Sequence, residues 1–358
     1  MRRFKLLLII LLCRSGWLLA CPLVDTAPVS AALAPSLVGA EPRRVLISSN
    51  SHVALPPADG VLSMRSADTQ ILLDSIEHWP TASGTIASIK AAPVILDSNY
   101  DGVADALYVV DVNGLVWFIA FDRQHFATPE LVADFSAMGY RFEQPLQLLQ
   151  TLSPVASGHL RYHSMLLLSA NDSAQSSVLI ALKHRPERVT PTTLSQLIDR
   201  SSIDADEVRY GIDEQLWSRL SVGDGWYVQL GRQINIKPQI YAGVVYFTSV
   251  KPGFINADCS LAADAEPALH ALHLHHAGLV YQQRQQVINA TTSGDLALER
   301  NDNGELQLVL QQAQSTLVLQ TDLVAVSEEC ADCTTALDAQ PFPRLIRLAT
   351  FQHEYGAH

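Results

Sequence analysis

An all-β, propeller-like fold with a short helical insertion is what this sequence predicts, on three observations. Short runs of Val, Ile, Leu, Tyr and Phe end repeatedly at Gly, Asn or Asp, the composition of strands and turns. A weak repeat of roughly 40–50 residues, the length of one propeller blade, opens each time on a proline. Charged residues make up 17% of the chain and hydrophobic ones 48%, with a mean hydropathy of +0.13, which suits packed sheets rather than a disordered chain.

The clearest strands are Leu107–Asp111, Leu115–Phe121, Met165–Leu168, Val178–Leu182, Val244–Ser249, Leu269–Leu274, Leu306–Leu310 and Thr316–Leu319. Asn113-Gly114 separates the first two, and both residues tolerate positive φ, so a hairpin is expected there. The repeat opens at Pro93, Pro145 and Pro238, and its second strands are Val116–Phe121, Val178–Leu182 and Leu269–Leu274. A small sheet cannot cover both of its own faces; stacking sheets radially does so. A β-sandwich with irregular strands is the competing architecture. Residues 190–220 break the pattern. Thr192–Arg200 and Ile212–Leu220 carry helical spacing, and Asp204-Ala205-Asp206-Glu207 between them reads as a solvated face.

The first 21 residues read as an export signal, with basic Arg2, Arg3 and Lys5 before the apolar run Leu6–Cys13. An uncleaved membrane anchor is the alternative. Leu18-Leu19-Ala20-Cys21 also has the form of a lipoprotein signal, in which acyl chains on Cys21 would tether the protein to a membrane. Residues 22–43 read as an Ala/Pro/Ser-rich linker and residues 44–358 as the propeller-like domain. Export places Cys259, Cys330 and Cys333 in an oxidising compartment, where a structural disulfide is the expected use. Cys330 pairs with Cys333, or one of them with Cys259; the spacing does not choose. With a net charge of −12 and no Lys/Arg run beyond residue 45, nucleic acid is not an expected partner.

The sharpest local signal is Asp97-Ser98-Asn99-Tyr100-Asp101-Gly102-Val103-Ala104-Asp105. Ca²⁺ takes six to eight oxygen ligands. Oxygens from Asp97, Asn99 and Asp101 can converge when the chain curls, and Gly102 permits the sharp turn. Val103 would offer its carbonyl and Asp105 would close the sphere directly or through water. The stretch matches the first nine positions of an EF-hand loop. Its twelfth position is Tyr108 rather than Glu, and its flanks read as strands, so weak Ca²⁺ binding on a β scaffold is expected.

Residues Asp97–Phe121, DSNYDGVADALYVVDVNGLVWFIAF, resemble the calcium loop and LYxxDxxGxxW hairpin of PilC/PilY type IV pilus proteins, with Asp111, Gly114 and Trp117 at the motif positions. A second block strengthens the resemblance: Gly225-Trp226-Tyr227, Lys237-Pro238, Gly243–Thr248 and Cys259. The resemblance covers roughly residues 85–285. The resemblance implies a Ca²⁺-binding propeller that primes or caps pili and adjusts extension against retraction. Its implied partners are minor pilins or other envelope proteins, and in some relatives host or surface ligands. The expected location is the periplasm, outer membrane or pilus surface. Family members are usually much longer, with an N-terminal adhesive region, and no Arg-Gly-Asp triplet occurs here.

Other constellations are weaker. His273 and His275 would share a strand face, but such a row is more often a polar surface than a metal pair. Trp226 and Tyr227 belong more naturally to a core or blade seam than to a ligand platform. No nucleophile, zincin or phosphate-loop motif occurs, so no catalytic residue is assigned and an enzyme is not expected. A quinoprotein-like dehydrogenase, which also uses propellers, and a lipid-anchored scaffold unrelated to pili are the alternative functions.

Overall fold

A computed structural model describes residues 27–323, apart from 36–40, 50–58, 153–161, 187, 257–259, 293, 313–314 and 322. The export signal and all five cysteines lie outside the described residues. Five sheets follow one another along the chain. The first is an antiparallel meander of β1 (Val29–Leu33), β2 (Arg43–Ser49), β3 (Leu62–Ser66) and β4 (Leu72–Ile76). β1 lies within the segment expected to be a linker. Its Ala31 and Leu33 are fully buried, so this Ala-rich stretch joins the core as an edge strand.

The second sheet comprises β5 (Val94–Leu96), β6 (Ala106–Val110), β7 (Leu115–Asp122), β8 (His125–Phe126) and β9 (Glu130–Asp134). The third is built on β10 (Gln147–Leu152), β11 (Tyr162–Asn171) and β12 (Ser177–His184). Of the two short strands that follow, the first joins the second sheet and the next belongs to the third. β13 (Thr192–Thr193) pairs in parallel with β9 of the second sheet, and β14 (Ile198–Asp199) pairs in parallel with β15 (Gly225–Gln229), which returns beside β12. The fourth sheet holds β16 (Gln233–Ile234), β17 (Gln239–Tyr241), β18 (Val244–Val250), β19 (Ala268–His273) and β20 (Gln285–Val287). The fifth holds β21 (Asp295–Arg300), β22 (Leu306–Gln312) and β23 (Ser315–Gln320).

Side-chain alternation explains the stack. Along a strand, successive side chains point to opposite faces. In the second sheet Leu107, Val109, Trp117 and Ile119 pack against the first sheet, while Tyr108, Val110 and Val116 pack against the third. In the third sheet Leu166, Leu168 and Ile180 face the second, while Met165, Leu167 and Leu179 face the fourth. Val245 and Phe247 of β18 continue toward the third sheet and Tyr246 toward the fifth. Central strands are therefore apolar on both faces, as the all-buried pattern of β12 shows. This is blade-on-blade stacking, and the fold is all-β and propeller-like as expected. The three repeat prolines stand just before β5, β10 and β17; β5 and β10 open their sheets, while β17 follows β16 in the fourth. β5 lies beside β1 and β10, and Gln147 of β10 donates to the Pro238 carbonyl of the next sheet.

The helical expectation is half right. Ile212–Leu220 becomes α2 (Glu214–Val222), preceded by α1 (Ala205–Tyr210). Thr192–Arg200 is not a helix. Thr193 and Gln196 form a capping box that closes a single 3₁₀ turn between β13 and β14. Leu197 then enters the core between the second and third sheets, and Ile198 the next core along, which one helical face could not arrange. Asp204, Ala205 and Asp206 are exposed, as expected of a solvated face, and Glu207 departs from it. Asp204 caps α1 by accepting from Glu207 N at 2.7 Å, and Glu207 turns inward to pair with Arg200, their side chains only 8% and 6% exposed.

Candidate metal site on the β5–β6 hairpin

The bend Asp97–Asp105 joins β5 to β6, so its flanks are strands, as the sequence predicts. Asp105 N donates to Leu96 O at 2.8 Å, and Phe121 N donates to Asp105 O at 2.9 Å, fixing the neck of the bend to three strands. Within it, Asp97 Oδ1 and Asn99 Oδ1 accept from the same amide, Asp101 N, at 3.2 and 3.0 Å. Asp97 Oδ2 accepts from Gly102 N at 2.9 Å, and Asp101 Oδ1 from Val103 N at 2.8 Å. Tyr100 and Gly102 sit at φ +61° and +85°, the left-handed region that curls the chain. Asp105 is held elsewhere: its Oδ2 accepts from Ser98 N at 2.7 Å and from the Ser98 hydroxyl.

Asp97, Asn99 and Asp101 are thus brought together around one run of amides, and Asp105 is tied to the start of the bend. The donors are hard oxygens on an accessible loop, the chemistry a Ca²⁺ ion takes. Their acceptor capacity is partly used by the loop's own N–H groups. Among the described residues, no group of three or more His, Cys, Asp or Glu is arranged to hold a metal ion.

The motif residues that carry the family resemblance have structural work in this chain. Asp111 is buried and accepts from Leu115 N at 2.9 Å and Ala87 N at 3.1 Å. Burial pushes its carboxyl pKa up, against the opposing effect of those bonds. Trp117 packs on Trp79 with ring centres 5.1 Å apart. Gly225 approaches β12 so closely that a Cβ would fall 1.9 Å from Ala181 O. Trp226 is fully buried and donates from Nε1 to Leu274 O at 2.9 Å, joining the third and fourth sheets. Trp226 is therefore a seam residue.

His273 and His275 do not share a strand face. β19 ends at His273, and His275 and His276 lie in the turn after it. The His273 ring stacks on His276, centres 3.9 Å apart, and His275 is tilted away at 5.8 Å. His273 Nδ1 accepts from His275 N, and His276 Nδ1 from Gly278 N.

One constellation escapes sequence reading because its members are far apart in the chain. Lys183 Nζ donates to Leu220 O at 2.5 Å and Ser221 O at 3.3 Å. Arg185 Nη2 donates to Val222 O at 2.5 Å and Gly223 O at 2.9 Å. These cations satisfy the C-terminal carbonyls of α2, where the helix dipole favours positive charge. The only local sign of it is the short Lys183-His184-Arg185-Pro186-Glu187-Arg188 stretch.

No helix among the described residues is long and apolar enough to cross a membrane. No protein-family model matches the chain, and no curated protein matches it by sequence. Among solved structures, the quinohemoprotein alcohol dehydrogenase of Comamonas testosteroni aligns at a TM-score of 0.38 and 10% identity, over 82% of this chain and 42% of that one. A likeness of that extent carries no argument. The crystal structure of the Pseudomonas aeruginosa PilY1 C-terminal domain aligns at a TM-score of 0.52 and 13% identity, over 83% of this chain and 72% of that one. The chain has a fold like that of the PilY1 C-terminal domain.

Proposed function

We propose that this protein is an exported, calcium-binding envelope protein that supports type IV pilus assembly and the balance of extension against retraction. The observation that carries the reading is the bend Asp97–Asp105, an oxygen-rich curl rooted in two strands of a PilY1-like fold. Asp97, Asn99, Asp101, the Val103 carbonyl and Asp105 would hold the ion. A bound Ca²⁺ would offset the like charges of the three aspartates. The chain's own part is the scaffold. The Asp105 neck bonds keep the bend registered to β5 and β7, so ordering it fixes one edge of the second sheet as a docking surface. Minor pilins or other envelope proteins are the partners this reading names, and its action is structural rather than catalytic.

Calcium titration of the wild type against Asp101→Ala tests the ion: saturable binding in the wild type and its loss in the variant are expected. Equal binding by the two proteins, or none by either, removes calcium from the proposal. Deleting the gene tests the pilus role. Surface piliation should fall and return with the wild-type gene; unchanged piliation argues for an envelope scaffold unrelated to pili.

A further inference from the structure

The seam between the second and third sheets opens into a cavity of about 380 Å³, within the size range of small-molecule sites. Its lining includes Lys183, His184, Arg185, Arg188 and Thr190, with exposed Glu130 on the opposite side. For a chain of net charge −12 this is a local reversal of sign. Asp224 offsets part of it, pairing with Arg188 Nη1 and lying 3.9 Å from Arg185 Nε. Glu187 lies outside the described residues.

The donors are not used up. Lys183 carries three N–H groups, of which two meet the end of α2. Arg185 spends Nη2 on the same helix end, and Arg188 spends Nε on Thr190 O at 3.2 Å. One N–H of Lys183, Arg185 Nη1 and Arg188 Nη2 have no acceptor among the described residues. These cations are held in place by backbone carbonyls, so a ligand would not have to order them. The field is felt by neighbours: burial first, then Lys183 and Arg185, hold His163 down to about 4. Burial and Arg185 likewise bring Lys183 down to about 8, against the pull of Asp224.

We propose that this cavity binds carboxylates, either a small polycarboxylate or the acidic side chains of a peptide. Asp224 shows the chemistry in place, a carboxylate seated between two guanidinium groups. The planar fork of Arg matches a planar carboxylate, and partial burial strengthens the contact. The inference does not rest on calcium in the bend.

The test is calorimetric titration in low-salt, calcium-free buffer with tricarballylate, with acetyl-Glu-Glu-Glu-amide and with sulfate. Saturable binding of at least one carboxylate probe is expected, about tenfold weaker in Arg188→Gln and only partly restored in Arg188→Lys, which keeps the charge without the planar fork. Arg141→Gln, on a remote exposed arginine, and Asp101→Ala should leave affinity unchanged. Tighter binding of the peptide assigns the site to a protein partner, and of tricarballylate to a metabolite-sized ligand. No saturable binding of either probe overturns the proposal, as does equal affinity in wild type and an Arg188→Gln variant that melts like wild type. Sulfate binding as tightly as both carboxylates overturns the ligand class.

Discussion

The bend Asp97–Asp105 and the anchor of the helical insertion both rely on carboxylates, and they satisfy them in opposite ways. In the bend, the partners are backbone amides and the Ser98 hydroxyl, close to water. In the anchor, Glu207 meets the Arg200 guanidinium out of water, while Arg284 clamps the same junction through Ser201 O and Ala277 O. An amide-bonded carboxylate at the surface can take a cation at modest cost, because water stands in for what it gives up. A carboxylate committed to a buried guanidinium cannot exchange partners without stranding a charge. The bend is therefore suited to exchange and the anchor to permanence.

The largest test of that contrast is Glu207→Ala, which leaves Arg200 buried without its counter-charge. It should cost about 3–5 kcal/mol in urea denaturation. Replacing both partners, Arg200→Met with Glu207→Leu, should recover most of the loss, because the pair's desolvation penalty disappears with it. A single variant within about 0.5 kcal/mol of wild type would mean that the insertion is held by something else.

Acid should act on the same side of the molecule. Burial is the first cause that lowers five histidines here: His163 and His275 fall to about 4, His270 and His276 to about 3, and His273 is lowered as well. In the unfolded chain they titrate near 6.5, so on acidification the unfolded state takes up protons first. Their contribution is complete above about pH 6.5 and drains away as pH falls, toward about 4 for His163 and His275 and about 3 for His270 and His276, each at up to about 1.4 kcal/mol per pH unit. Urea midpoints measured from pH 7 to 4.5 should fall, and His276→Gln should flatten the slope. A slope identical to wild type would show that His276 gains its proton without unfolding.

The bend should give smaller numbers. In calcium-free buffer Asp97→Ala loses the acceptor for two amides that water can reach, and about 1 kcal/mol is expected. Adding Ca²⁺ should raise the melting temperature of wild type and not of this variant. Smallest of all is Ser98→Ala, within about 0.5 kcal/mol in stability. By releasing one bond to Asp105 it should tighten calcium binding, and weaker binding would mean that Ser98 itself serves the ion.

The strands and the bend were legible because their signals are local. Gly114, at φ +95°, sets the β6–β7 hairpin by its own backbone preference, and the three prolines stand just before β5, β10 and β17. β1 was hidden because Val29-Ser-Ala-Ala-Leu33 has little side chain to show, and its burial is supplied by the sheet it joins. The Thr192–Arg200 spacing misled because Leu197 and Ile198 serve two different cores. Glu207 and the Lys183–Asp224 cluster depend on partners 7 to 41 positions away, where no local pattern reaches. The convergence of Asp97, Asn99 and Asp101 was readable; the capture of Asp105 by Ser98 was not, since any serine in a turn reads alike.

Because each inner strand feeds two cores, pairing errors are penalised twice. Were β12 to shift by one position against β11, Ile180 and Leu179 would exchange sides. One misstep would therefore misfit two sheet interfaces at once. Such an arrangement proofreads itself during folding, and it gives the hairpin that carries the bend a foundation whose alignment is checked from left and right.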